Sequence, residues 1–223
     1  MSFSRGLKAK AEKVWEDGYN HPFVQGLGKG TLDKEKFKFY LLQDYLYLLQ
    51  YAKVFAAAVL KSDTEEYMSN FTIVQNYIFN TEMDVHREYM KRFDITQEEI
   101  DSVKSSLYNR TYTANMLAHG FTGGLAEIIA TVLPCGWTYS DYGKRLKSQY
   151  VDNLEGNFYK TWIENYASDS FAGSLEWLFG ALDDLVVDMS DKQRENIEEI
   201  FISSVEFEYL FWDMAFKQQM SYG

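Results

Sequence analysis

Apolar residues recur at intervals of three and four along almost the whole chain, and alternating runs bounded by glycine or proline are missing. That pattern predicts helices and no sheet. A first helix is expected over roughly 3–17, then a loop, GYNHPFVQGLGKGT, holding Pro22. A long second helix opens near Asp33 and runs to about Leu60, and SDT at 62–64 caps a third that continues to about Arg92. TQEE at 96–99 has the form of a capping box and starts a short helix. From about Arg110 a helix runs to Leu133, where Pro134 lacks the N–H and has the ring that end or kink it; another stretch follows from Cys135 to about Gln149. NFYKTWIENYA and FAGSLEWLFGALDDLVVDM give two more, and SDKQ at 190–193 caps a last helix reaching Phe216. The expectation is an all-α, single-domain bundle over residues 1–223.

Charge narrows the partners. A formal net charge of −11 disfavours nucleic acid, which needs concentrated Lys and Arg. Clusters such as KEKFK at 34–38 read as solvated helix faces. The amino-terminal stretch has no apolar run of signal-peptide type, and no later stretch is long and uncharged enough to span a bilayer. A soluble, cytoplasmic protein without a membrane partner is expected. A lone cysteine, Cys135, suits a reducing compartment.

The informative positions are charges inside apolar stripes. Tyr40, Asp44, Tyr47 and Tyr51 fall on one helical face, which sets a carboxylate in a row of phenols. Glu208 aligns with Phe201, Ser204, Val205, Phe211, Trp212 and Ala215. Each is either a structural buried acid satisfied by neighbouring hydroxyls or part of a site. A carboxylate walled by aromatics suits a flat nitrogen heterocycle, which stacks on the rings and donates from its amidine-like edge. Glu206 competes with Glu208 but points about 160° away around the helix. Cys135 is either a small core hydrophobe or, if a helix restarts after Pro134, a thiol in a first turn whose free N–H groups favour thiolate. Tyr139 follows one turn later on the same face.

Metal and haem readings find little support. Glu82 and His86 share a helical face, but a di-iron bundle wants a second Glu-x-x-His element and none exists; the pair reads as a buried hydrogen bond. His21, before Pro22, has nothing to support an axial haem role. Gly123-Gly124 is read as a mid-helix close contact, not a phosphate loop.

The ordered set Asp44-x-x-Tyr47, Leu133-Pro134-Cys135-x-Trp137-x-Tyr139, Trp162-x-x-x-Tyr166 and Glu208-x-x-Phe211-Trp212-x-Met214-Ala215 resembles the TenA family, also called thiaminase II or aminopyrimidine aminohydrolase. The resemblance covers essentially the whole chain. It implies a haem-oxygenase-like helical fold without haem, no metal or other cofactor, a homotetramer, and salvage of the thiamin pyrimidine. Members with this cysteine hydrolyse 4-amino-5-aminomethyl-2-methylpyrimidine to the hydroxymethyl compound and cleave thiamin. On matching positions the resemblance implies Cys135 as nucleophile, Glu208 as proton donor and Tyr47 as the cysteine's assistant. Asp44 would then bind the aminopyrimidine edge and Tyr139 and Tyr166 the ring, with Tyr112 and Phe211 lining the pocket. A pyrimidine sensor without turnover, and a haem or di-iron oxidase on the same fold, are the competing classes.

Overall fold

The computed structural model describes residues 2–221 and builds them from twelve α-helices; no strand occurs among them. The expected first helix is two, α1 (Phe3–Lys10) and α2 (Glu12–Tyr19), interrupted at Ala11, whose N–H serves both Leu7 and Lys8 carbonyls. The expected loop around Pro22 is itself helical, α3 (Pro22–Lys29). Proline at the first helical position loses only an N–H that would be unpaired anyway, His21 caps the turn through Nδ1, and Gly30 closes it at φ 69°.

Helix α4 (Lys34–Lys61) starts on Asp33, whose Oδ1 accepts from the Glu35 N–H at 2.8 Å. Thr64 caps α5 (Glu65–Tyr77), which passes through one π-helical turn, Ile78–Glu82, into α6 (Met83–Arg92). The capping box at Thr96 and Glu99 forms as the spacing predicts and opens α7 (Gln97–Ser102).

The middle of the chain departs most from its sequence pattern. Helix α8 (Leu107–Thr122) stops at Gly123-Gly124, and α9 (Leu125–Gln149) runs on without a break through Pro134. The glycines, not the proline, make the interruption. Extended backbone at both (φ −85° and −89°) ends one helix and starts the next, and Glu127 bonds back to the Gly124 N–H at 3.0 Å. Three helices complete the chain: α10 (Lys160–Tyr166), α11 (Asp169–Leu185) and α12 (Asp191–Lys217), the last opened by a Ser190–Gln193 capping box.

Helix α9 is the axis, buried around most of its circumference and packed by α8, α10, α11 and α12; α4 lies against α5, α8 and α12. Gly143 allows α10 its close approach, since a Cβ there would come within 2.9 Å of the Tyr166 and Ala167 backbone. The core is dominated by aromatics, each a large apolar surface with a polar tip. Trp15 Nε1 donates to Asp141 at 2.8 Å and Trp162 Nε1 to the Tyr40 hydroxyl at 3.2 Å, whereas the buried Trp212 Nε1 has no partner among the described residues.

Candidate active site

Six helices and the π turn send polar side chains to one buried place. Helix α4 contributes Tyr40, Asp44, Tyr47 and Tyr51, all buried as the row predicts. Asp44 Oδ2 accepts from the Tyr40 hydroxyl at 3.0 Å and lies 2.6 Å from His86 Nε2. His86 Nδ1 is 3.0 Å from the Glu82 backbone carbonyl, which only accepts, so Nδ1 carries a hydrogen. One more proton is therefore shared between Nε2 and Asp44. Burial pushes the His86 imidazole down, but the hydrogen bond and charge of Asp44 outweigh it, and the net shift is upward, towards imidazolium. The expected Glu82–His86 side-chain bond does not form: His86 turns to Asp44, and Glu82 Oε1 accepts from the Tyr166 hydroxyl at 3.1 Å.

On the opposite wall α12 supplies Glu208, 3% exposed, whose Oε1 accepts from Tyr112 of α8 at 2.6 Å. Burial lifts its carboxyl to about 8, helped by the charges of Asp44 and Glu82 and resisted by the Tyr112 hydrogen bond. Glu206 is exposed and takes no part. Phe211 packs edge-on to Tyr47 and Tyr40, with centroids 5.6 and 6.2 Å apart, and Tyr139 lies on Trp212 and against Tyr166, at 4.9 and 4.8 Å.

Cys135 is buried in α9, and the helix restart expected at this residue does not exist. Pro134 is interior to a continuous helix, so Cys135 has no first-turn N–H groups around it, and the thiolate expected from them is not favoured. Burial first, then the negative charge of Glu208 and Glu82, push the thiol well above its ordinary range; Tyr47 alone pulls the other way. The resting sulfur is a thiol, and any nucleophile must be made by passing its proton to a neighbour. Glu208 and Tyr47 stand near enough to bias that proton. Tyr51, whose hydroxyl donates to the Val132 carbonyl at 3.0 Å, faces the same sulfur.

The sequence-predicted residues Asp44, Tyr47, Tyr112, Cys135, Tyr139, Tyr166, Glu208 and Phe211 are thus brought together. Tyr40, read in the same row of phenols as Asp44, bonds that carboxylate; Glu82 joins the cluster without having been expected there, and His86 joins through a different partner. Glu82 and His86 were visible as polar residues on one helical face, but the residues they meet lie 84 and 42 positions away. Among the described residues no three His, Cys, Asp or Glu side chains form a group that holds a metal. His21 is engaged at both nitrogens, by the Phe23 N–H and, at 3.6 Å, by Asp213. An outer cleft of about 280 Å³ between α8 and α12 shares Phe211 with the cluster; its other walls, Leu107, Tyr108, Thr111, Phe207 and Leu210, bring no carboxyl, thiol or imidazole. No helix among the described residues is long and apolar enough to cross a membrane.

The all-helical bundle thus buries one thiol with three carboxyls and a wall of phenols in a single cluster. The chain belongs to the TENA/THI-4/PQQC family, whose pattern matches residues 8–218. It is 44% identical to a Helicobacter pylori protein named aminopyrimidine aminohydrolase, over 97% of this chain and 100% of that one. A Halalkalibacterium halodurans protein of the same name is 42% identical over 99% and 98% of the two chains. Among solved structures, a TenA family transcription regulator from Silicibacter superposes with a TM-score of 0.87 at 30% identity, over 94% of both chains.

Proposed function

We propose that this chain is an aminopyrimidine aminohydrolase of thiamin salvage. It replaces the amine of 4-amino-5-aminomethyl-2-methylpyrimidine by hydroxyl and, through the same ring adduct, cleaves thiamin into its pyrimidine and thiazole parts, the thiazolium leaving as neutral thiazole without a proton and the surplus proton passing to water. The observation that carries this reading is the placement of Cys135 within electrostatic reach of Glu208, Glu82 and Asp44 in one aromatic-walled cluster. The names of the two bacterial relatives support the substrate class.

An exocyclic methylene on an aromatic pyrimidine resists direct displacement by water. Adding the Cys135 sulfur to the ring breaks aromaticity and lets ring electrons expel the leaving group. In this reading the ionised form of Glu208, the minor form at neutral pH because its carboxyl is lifted to about 8, takes the thiol proton while the Tyr47 hydroxyl turns from Met116 Sδ to the sulfur, and Glu208 then hands that proton to the departing nitrogen. Water adds to the exocyclic carbon and gives its spare proton to Glu208. The sulfur leaves, taking that proton back, so the thiol and the carboxylate are restored.

Asp44 offers its free Oδ1 to the amino group, because Tyr40 and His86 occupy Oδ2. Tyr139 and Tyr166 hold the ring, and Tyr112 and Phe211 close its sides. The reaction as written uses no cofactor, and the same resemblance supports a cytoplasmic homotetramer, which sedimentation of the purified protein would check. The deciding assay is release of the hydroxymethyl product by wild type, Cys135→Ser and Glu208→Gln. Both variants are expected to lose turnover by about two orders of magnitude or more. Near wild-type turnover by Cys135→Ser would rule out covalent catalysis, and equal rates with Glu208→Gln would remove the acid role.

A further inference from the structure

Glu82 is a buried carboxyl that the chemistry above leaves without a task. It closes the one π-helical turn among the described residues, is 7% exposed, and meets the Tyr166 hydroxyl at 3.1 Å. A π turn adds a residue to a helical turn and recurs at functional sites, where it re-aims a side chain at some expense in regular bonding. The groups facing Glu82 are Asp44 and Tyr51 from α4, Cys135 from α9, Tyr166 from α10 and Glu208 from α12, with His86 and Tyr77 beside it. His86 is the one cation-forming group in that set and it is committed to Asp44. Burial first, and the charge of Asp44 second, lift the Glu82 carboxyl to about 7, so near neutral pH a substantial fraction of it still carries a proton that an exposed glutamate has lost.

The reaction has a place for such a proton. Whichever electrophilic carbon of the pyrimidine takes the sulfur, the displaced π pair comes to rest on a ring nitrogen, which must be protonated for the adduct to persist. Glu208 is not free for this, because it carries the thiol proton to the leaving group. We propose that Glu82 acts through Tyr166 as a proton relay to that ring nitrogen. As the C–S bond forms, the nitrogen takes the Tyr166 hydroxyl proton and Glu82 replaces it; when the C–S bond breaks at the end, the proton returns by the same path. A proton on Oε1 and a rotated phenolic hydroxyl reverse the Glu82–Tyr166 bond without moving a heavy atom. Glu82 is then a positioning residue acting through Tyr166, and the inference rests on the reading above, in which Tyr166 touches the ring.

Steady-state kinetics with the aminomethyl pyrimidine test it, using Glu82→Gln, Tyr166→Phe and the double variant across pH. Glutamine keeps the shape and the contact with Tyr166 but has no carboxyl proton to give. The expected result is a fall in kcat of about 100-fold for Glu82→Gln with little change in KM, and a basic limb near neutrality that is present in wild type and absent in the variant. The double variant should be no slower than the poorer single one, because both remove the same relay. Losses that multiply, an unchanged pH profile, or an effect on KM alone would overturn the proposal. Should Glu82→Gln fail to fold, the pH profile of Tyr166→Phe decides by itself: an unchanged basic limb overturns the relay and a lost one supports it. A wild type without turnover would bring down this inference together with the functional reading. An active wild type with an indifferent Glu82→Gln removes the relay alone.

Discussion

The Asp44–His86 pair is the point at which a single side chain decides whether the cluster holds together. Asp44 is 3% exposed and its near oxygen is held by Tyr40 and His86, so removing the imidazole strands a carboxyl in the core. His86→Ala is expected to cost about 3–5 kcal/mol in denaturant unfolding, because breaking a buried pair leaves an uncompensated charge. His86→Gln, which keeps one N–H donor, should recover part of that loss. Because the folded imidazole titrates above its unfolded value, its contribution is complete in acid and is lost as pH rises through the folded pKa; the gap between wild type and variant should therefore narrow in base. A constant gap across pH would remove the ion-pair description. Asp44 was legible in the sequence, since a charge in a row of tyrosines contradicts the stripe it sits in. His86 was legible only as a neighbour of Glu82: periodicity shows which residues share a helix face but not what faces them from another helix.

At the scale of helices, side-chain caps are legible in the sequence, whereas the proline-opened α3 and the glycine break at 123–124 are not. Asp33, Thr64, Thr96 and Ser190 all cap the helices their spacing predicts, because a cap is a contact over two or three residues. Pro134 misleads for the opposite reason. An interior proline costs a helix about 3 kcal/mol, but α9 is the packed axis of the bundle, and burial on several sides outweighs that penalty. The paired glycines take the break instead, where α8 and α9 part. Cys135 therefore owes nothing to a helix terminus, and Pro134→Ala should leave its reactivity alone. The expected outcome is an alkylation rate of Cys135, measured against pH, that superimposes on wild type. A clear drop in the variant would reinstate a helix-start thiolate.

The whole molecule carries a formal charge of −11 and still buries three carboxyls in one cluster, so its stability must depend on keeping some of them protonated. An unfolded chain releases glutamate protons near the ordinary value of 4.5, whereas the folded chain holds them to about 7 at Glu82 and about 8 at Glu208. Between those values the unfolded state binds fewer protons than the folded one, so raising the pH favours unfolding. The contribution of each acid is complete below its unfolded value and disappears as pH climbs through its folded one. Surface ion pairs and the other carboxylates also move with pH, which makes the wild-type curve a sum of many groups. Subtracting the curve of Glu208→Gln isolates one of them, since the amide keeps the shape and cannot ionise. The two proteins should unfold at similar denaturant concentrations at about pH 5, and the variant should gain on wild type as pH rises, by on the order of a few kcal/mol at about pH 9. A difference that stays flat, or that favours wild type in base, would mean that Glu208 is ionised in the folded chain at neutrality and that burial does not lift its carboxyl.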